Sequence, residues 1–322
     1  MAVRNQFTEL LQKDTYKWTL EAYNRHQTVY DKIFNVVPST SAFEKSTTGI
    51  GMGQLREVPE GNDILESNLM EGYTVYGKNR MFGDSYKITL QMVEDTPPEK
   101  IGNITQSISK TWGDGIVATK ETFAAKFFNY GGYTAGHDVF NNTITGVQDD
   151  PTGDLGYDGK PFFALSGNNH PAKSGSTYYN SLALALSSTN LQTAYNIMAV
   201  TNAYNERGEK IEIMPDVLLI PPDLRFTAKT ILESDNVVSS ANNDINVTKG
   251  IVTPVEWHYL TDTNAWFLGK AKSGLTWMER KQPVIDVYQN DMNKNYYVTI
   301  HARWGAYMDN WRFWVGSQLS TS

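Results

Sequence analysis

Apolar positions Phe7, Leu10, Leu11, Trp18 and Ala22 recur near helical spacing between Arg4 and His26, with Glu9, Lys13, Lys17, Glu21 and Arg25 among them. The pattern predicts an amphipathic N-terminal helix. Such a helix packs either on its own domain or, as an arm, on a neighbouring molecule. From Ser39 to Glu94 the period changes. Gly49, Gly51, Gly53, Gly61, Gly72, Gly77 and Gly83 punctuate alternating stretches such as Tyr73-Thr74-Val75-Tyr76 and Tyr86-Lys87-Ile88-Thr89-Leu90. A long β-hairpin projecting over 39–94 fits this text. A two-stranded hairpin alone is marginal in water, so an ordered one implies a partner outside the chain.

Thr96-Pro97-Pro98-Glu99 follows, reading as a Thr N-cap, a proline in the first turn and a glutamate closing a capping box. Ile101, Ile104, Ile108, Trp112, Ile116, Phe123 and Phe127 continue at three-, four- and seven-residue steps. They predict a helix over 97–130, about 45 Å long at 1.5 Å per residue. Gly113 and Gly115 in its middle predict a bend. Residues 131–181 are rich in Gly, Asn, Asp, Pro and Ser and read as a loop-rich connection.

A compact α/β region comes next. Ser188 or Thr189 caps a helix through Leu191, Ala194, Tyr195, Met198 and Ala199, with Gly208 as its C′ residue. Val217–Ile220 is a buried strand, and Pro221-Pro222 opens a helix through Phe226, Ala228, Ile231 and Leu232. Ser239–Gly250 is an exposed Asn-rich loop. Strand-like text returns at 251–260, 265–268, 284–288, 296–304 and 311–316. Together these make an α+β chain.

Composition narrows the functional classes. None of the 322 residues is a cysteine, so a disulfide framework, a thiolate nucleophile and a thiolate metal ligand are all excluded. With 12% aromatics the chain is not disordered by composition. It holds no run of about 20 apolar residues that would write a membrane helix, and Met1–Phe7 lacks the pattern of a secretory signal. The net charge of −7 argues against wholesale coating of nucleic acid.

His26, His137, His170, His258 and His301 show no metal-ligand spacing. His170-Pro171 reads as a surface turn, whereas His258 and His301 alternate with aromatics in strands. Gly153, Gly156 and Gly159-Lys160 superficially resemble a phosphate loop, but Pro161 stands where the magnesium-binding hydroxyl belongs. Gly49-x-Gly51-x-Gly53 lacks the third glycine of a dinucleotide fingerprint and has no following helix. Asp149, Asp150, Asp154 and Asp158 fail EF-hand spacing and read as a solvated acidic turn. No Gly-x-Ser-x-Gly elbow occurs. The expectation is a protein with no enzymatic activity, no catalytic residue, no cofactor and no metal.

The order of elements, together with Phe162-Phe163-Ala164-Leu165, His170-Pro171, Pro215–Leu224, Ile231–Ser234, Ala265–Leu268, Ala302–Gly305 and Asp309–Arg312, resembles the major capsid proteins of tailed bacteriophages. The wording is closest to the major head subunits of Mu-like prophages. The resemblance implies the tailed-phage capsid fold, which is shared with encapsulins. Its parts would be an N-terminal arm (1–38), an E-loop hairpin (39–94), a P-domain (95–186) carrying the spine helix, an A-domain (187–290) and strands returning to the P-domain (291–322). It implies a subunit that self-assembles through pentamers and hexamers into an icosahedral shell around phage double-stranded DNA, touching that DNA weakly and without sequence preference. Such a subunit belongs to the virion and is assembled in the host cytoplasm, with no membrane partner.

Intersubunit contacts are expected from Phe7, Leu11, Trp18, Met52, Leu55, Ile64, Leu69, Tyr73 and Tyr76, and a ring-centre loop from Asn242, Asn243, Asp244 and Asn246. A portal and decoration proteins are the partners such a head would meet. Some relatives carry a removable scaffolding segment. Here the arm starts at Met1, so a separate scaffolding protein, or none, is expected. Lys45 and Lys78 lie where some relatives form a covalent cross-link, but no partner is identifiable and that chemistry is not carried over. Two other readings stand beside this one. The first is an encapsulin-like compartment with protein cargo. The second is a β-rich carbohydrate-binding protein or hydrolase using Trp257, Trp266, Trp277, Trp304, Trp311 and Trp314 as a stacking platform; strand alternation instead favours these as core.

Overall fold

The computed structural model describes residues 4–49, 53–64, 66, 71–132, 158, 160–172, 174–237 and 244–319. In chain order the elements are α1 (Arg4–Arg25), α2 (Tyr30–Ile33), β1 (Asn35–Pro38), β2 (Phe43–Gly49), β3 (Glu71–Lys78), β4 (Arg80–Ile88), α3 (Leu90–Asp95) and α4 (Pro98–Asn129). Then come β5 (His170–Pro171), β6 (Thr177–Tyr178), β7 (Ser181–Leu182), α5 (Ser188–Asn196), β8 (Val217–Ile220), α6 (Arg225–Glu233) and β9 (Thr253–Glu256). The chain closes with β10 (Trp266–Gly269), β11 (Leu275–Gln289), β12 (Tyr296–Met308) and β13 (Trp314–Ser317).

Two sheets organise the body. The first has the order β1-β11-β12-β4, and β12 pairs with β11 on one side and, from Tyr296 to Trp304, with β4 on the other. Alternation in β12 decides which face is covered. Tyr296, Val298, Ile300, Ala302 and Trp304 are buried, whereas Tyr297, Thr299, His301 and Arg303 are partly exposed. The buried face packs on α4 and α1, where Leu11, Ile101, Trp112, Ile285, Val298 and Ile300 share one core. The second sheet has the order β7-β13-β10-β8-β9, and its core includes Leu191 and Met198 after α5's first turns, Ile231 and Leu232 of α6, Leu218, Trp266 and Val315. An aromatic cluster lies between. Phe128, near the end of α4, packs edge-on against Phe267 and Trp314, each at 5.0 Å between centroids.

The six tryptophans Trp257, Trp266, Trp277, Trp304, Trp311 and Trp314 are at most 1% exposed. They are core, as strand alternation predicts, so no stacking platform for a sugar exists on these indoles.

The helix α4 runs unbroken from Pro98 to Asn129, one residue inside each predicted end. Its start differs from the capping box: Pro97 occupies the N-cap, so no side chain caps the first turn, and Thr96 instead closes α3. Gly113 answers to packing. A Cβ there would lie 2.5 Å from Ala22 Cβ and 2.6 Å from the Thr19 carbonyl oxygen, so its missing side chain is what lets α1 cross α4 closely. Gly115 faces open space.

Other expectations are corrected. The helix from Ser188 ends α-helical geometry at Asn196 and passes through a π turn at Ile197–Thr201; its N-cap is Ser187, and Gly208 lies in a separate turn, at φ +83°, whose amide donates to the Asn205 carbonyl. The independent hairpin is only β2–β3, because β4 leaves it to become an edge of the first sheet. The boundary at 290 does not separate the sheets either: β11 belongs to the first, and β13 returns to the second. For β4, the partner strand β12 outweighs sequence adjacency.

Candidate interaction surfaces

The strands β2 and β3 flank residues 50–70 and form a two-stranded sheet of their own. The strands pair antiparallel from Phe43↔Lys78 to Gly49↔Glu71, and their root crosses the sheet at Gly77, where a Cβ would lie 2.4 Å from Tyr307 Cδ1. Close approach therefore anchors the root. The described part of the connecting loop is exposed throughout. Leu55 is 101% exposed and Ile64 83%, a costly display for large aliphatic side chains in an unpartnered chain. One contact ties this loop down: the Gln54 amide donates to Glu209 Oε1 at 3.0 Å, and that bond holds the Glu209 carboxyl below the usual glutamate range.

Of the other expected contact residues, Tyr76 is partly buried beneath Lys45 Nζ, 5.7 Å from its ring centre. Met52 and Leu69 lie outside the described residues, as do the side chains of Phe7 and Tyr73. Leu11 departs from expectation: it is buried on its own chain, on the face Leu11, Thr15, Thr19 and Ala22 that meets α4 and the sheet. Trp18 is half-buried, and Tyr16 and Leu20 stand outward. The helix thus packs on its own domain and still shows an apolar stripe.

Asn242 and Asn243 lie outside the described residues. Asp244 is exposed, but Asn246 points inward. Its Nδ2 donates to the Ile231 and Ser234 carbonyls at 2.7 and 3.0 Å, and its Oδ1 accepts from the Thr248 amide and hydroxyl. It ties the loop base to the end of α6 instead of lining a tip, because an amide with three backbone partners in reach is worth more there than in water. Ile245 and Val247 flank it at 79% and 66% exposure. Close by, an open depression of about 480 Å³ is lined by Leu186, Phe226, Thr230 and Val237, among others, with no ionisable side chain.

Buried charges are used as internal ties. Lys120 pairs with Glu279 and lies over the Trp304 ring. Its neighbour Glu121 accepts from the Val29 amide at 2.6 Å, the Tyr30 amide at 3.3 Å and Trp257 Nε1 at 2.5 Å, joining the α1–α2 junction and the residue after β9 to α4. Burial raises the Glu121 carboxyl above its ordinary range, against the pull of those three donors. Arg312 reaches Glu206 at 2.7 Å in a buried pair.

His170 corrects the surface-turn reading. Its ring is fully buried, Nδ1 lies 2.5 Å from Asp158 Oδ2, and the imidazole stacks on Trp311 at 4.2 Å. Asp158 is accordingly buried and not part of a solvated turn. A base held by a carboxylate is a catalytic geometry in an open cleft, but this ring is sealed from any substrate. Among the described residues, no group of three or more His, Asp or Glu side chains is placed to hold a metal ion, and no helix is long and apolar enough to cross a membrane.

A family model described as phage capsid protein matches residues 73–316. Among solved structures, the capsid of the cyanophage P-SCSP1u is similar with a TM-score of 0.55 at 9% identity, over 92% of this chain and 89% of that one. The mature capsid of bacteriophage PhiM1 gives 0.55 at 11% identity, covering 92% and 88%. The bacteriophage JBD30 capsid gives 0.52 at 15% identity, covering 73% of this chain and 92% of that one. At such identities the likeness is one of fold. Among curated proteins, none matches the chain.

Proposed function

Because the chain belongs to the phage capsid protein family, we propose that it is a major head subunit of the Mu-like type, assembling through pentamers and hexamers into an icosahedral shell around double-stranded DNA. In this reading α1 belongs to the N-terminal arm, β2–β3 with residues 50–70 form the E-loop, α4 is the spine helix of the P-domain, and the second sheet with α5 and α6 forms the A-domain. Asp244 faces the ring axis. The carrying observation is the fully exposed Leu55 on a loop whose two strands, among the described residues, pair only with each other.

The physics suits a subunit that exists to make contacts. A head-to-tail patch closes into a ring when its rotation permits. Several modest contacts from arm and loop then act together, since a subunit held by several neighbours leaves only when all release. A scaffolding protein, a portal and decoration proteins complete the expected partners, with assembly in the host cytoplasm. The net charge of −7 accords with a lining that does not hold the duplex tightly.

Electron microscopy of the expressed chain, alone and with any scaffold encoded beside it, tests the reading. Closed shells with five- and six-fold capsomers are expected. A species that stays monomeric under every assembly condition overturns it, and shells filled with a host enzyme in place of nucleic acid would identify a compartment instead.

A further inference from the structure

Glu209 stands in a tight turn whose bonds fix its carboxylate. Tyr204 and Lys210 close the turn as a β-bridge, and the Asn205 amide donates to the Glu209 carbonyl at 2.8 Å. From its side chain, Asn205 Oδ1 accepts from the Arg207 and Glu209 amides, each at 2.9 Å, and Nδ2 donates to Glu209 Oε2 at 2.8 Å. The turn is rooted in the body, because the Ile211 amide donates to the carbonyl of fully buried Ala203 at 2.9 Å, and Glu206 is paired with Arg312. One carboxylate oxygen is thereby held by its own turn. The other, Oε1, is left for a donor from elsewhere.

That donor is the amide of Gln54, 3.0 Å away and 155 residues back in the chain. Gly53 makes the approach possible. Its φ is +83°, a conformation that favours glycine, and a Cβ there would lie 2.8 Å from Oε1. The loop is thus shaped to receive this carboxylate, and an anion accepting a backbone amide makes a stronger bond than a neutral oxygen would. Yet the closed contact covers neither of the loop's most exposed aliphatic side chains: Leu55, next in the chain, and Ile64 both remain in water. Full burial of either gains more than one exposed hydrogen bond, so a surface that covers them outcompetes the contact. Such a tie holds a segment in place without committing it there.

We propose that Glu209 is a latch, which keeps the loop carrying Leu55 and Ile64 on its own chain in the free subunit and lets go of it when subunits assemble. The latch delays association of the free chains and adds nothing to the finished shell. This rests on the capsid reading above, which supplies the event that opens it.

Hydrogen exchange on the free subunit, and light scattering during its assembly, test the latch on the full chain. Glu209→Ala should speed exchange of the Gln54 amide about fivefold, the factor that one exposed hydrogen bond is worth, while the amides of β12 keep their native rates. Gly53→Ala, which presses on the same carboxylate from the loop side, should do likewise. Glu209→Gln keeps an acceptor oxygen and should lose less. Both alanine variants should shorten the assembly lag and reach native particle yield. In finished particles the native and Glu209→Ala chains should exchange Gln54 at one rate. Equal Gln54 exchange in the free native and Glu209→Ala chains overturns the latch. So does an unchanged or longer lag in both alanine variants, the longer one meaning that Glu209 presents the loop to a partner instead of retaining it. If no chain assembles under any condition while the Gln54 amide responds as expected, the holding contact is upheld and the capsid reading is what fails.

Discussion

Lys120 Nζ, on the long helix, lies 3.0 and 3.1 Å from the two carboxylate oxygens of Glu279 on β11. The lysine is 1% exposed and the glutamate 13%, so helix and sheet are joined by an ion pair almost out of water. Removing one member of such a pair leaves the other uncompensated. Lys120→Ala should therefore lower stability by about 3–5 kcal/mol, read as a fall in denaturant midpoint at unchanged slope. Lys120→Met combined with Glu279→Leu should recover most of that loss. If the double variant is as unstable as the single one, the pair contributes more than mutual compensation.

Glu121 gives the pH prediction. Its carboxyl is raised above 4.5 by burial, so between the unfolded and folded values the native state binds more protons. Stability from this group is complete below about 4.5 and is lost as pH rises through the raised folded value. Glu121→Gln should flatten that decline in thermal midpoint. Glu121→Ala should cost about 3 kcal/mol at any pH, since two backbone amides and the Trp257 indole lose their acceptor. Asp309, raised by its own burial, contributes a slope of the same sign that both variants keep.

Two glycines in one helix should respond oppositely to alanine. Gly113→Ala drives a methyl into Ala22 and the backbone at Thr19, and a loss of about 1–3 kcal/mol is expected from the forced separation of α1 and α4. Gly115→Ala meets nothing and should gain about 0.5–1 kcal/mol from helix propensity. Equal effects at the two sites would mean that the close helix crossing is not what selects Gly113.

Leu55→Ser with Ile64→Ser should leave the free subunit's melting temperature unchanged, because neither side chain is buried in it. Particle yield by sedimentation should fall severalfold. A variant that assembles at native yield would show that these two side chains are not intersubunit contacts.

Elements with strong internal periodicity were legible from the residues alone. Periodicity places the long helix to within one residue at each end, and Val217–Ile220 reads as a buried strand because an apolar run between turn signals has few other uses. What failed was anything decided by a distant partner. β4 reads like the hairpin strand before it, and only the β12 edge captures it. His170 sits in polar text, and nothing local announces Trp311, far along the chain, as its stacking partner. Asn246 reads as loop surface because an Asn in an Asn-rich stretch carries no sign that three backbone groups surround it. The candidate surface was half legible. The exposed aliphatic side chains Leu55 and Ile64 stand in one stretch of sequence, whereas the tie from Gln54 to Glu209 is made only by the fold.

The 13 residues of β12 are bonded along most of their length to β11 on one side and β4 on the other, spanning about 43 Å at 3.3 Å per residue. Tension applied along that strand meets its ladder hydrogen bonds all at once, in shear, whereas a pull across an end would peel them one at a time. The hairpin root is seated on Tyr307, near one end of this strand, and the β11–β12 turn caps the other. A wall built from such subunits would therefore stretch stiffly along the direction of β12 and yield first at the hairpin, which among the described residues has two strands and no third to share the force.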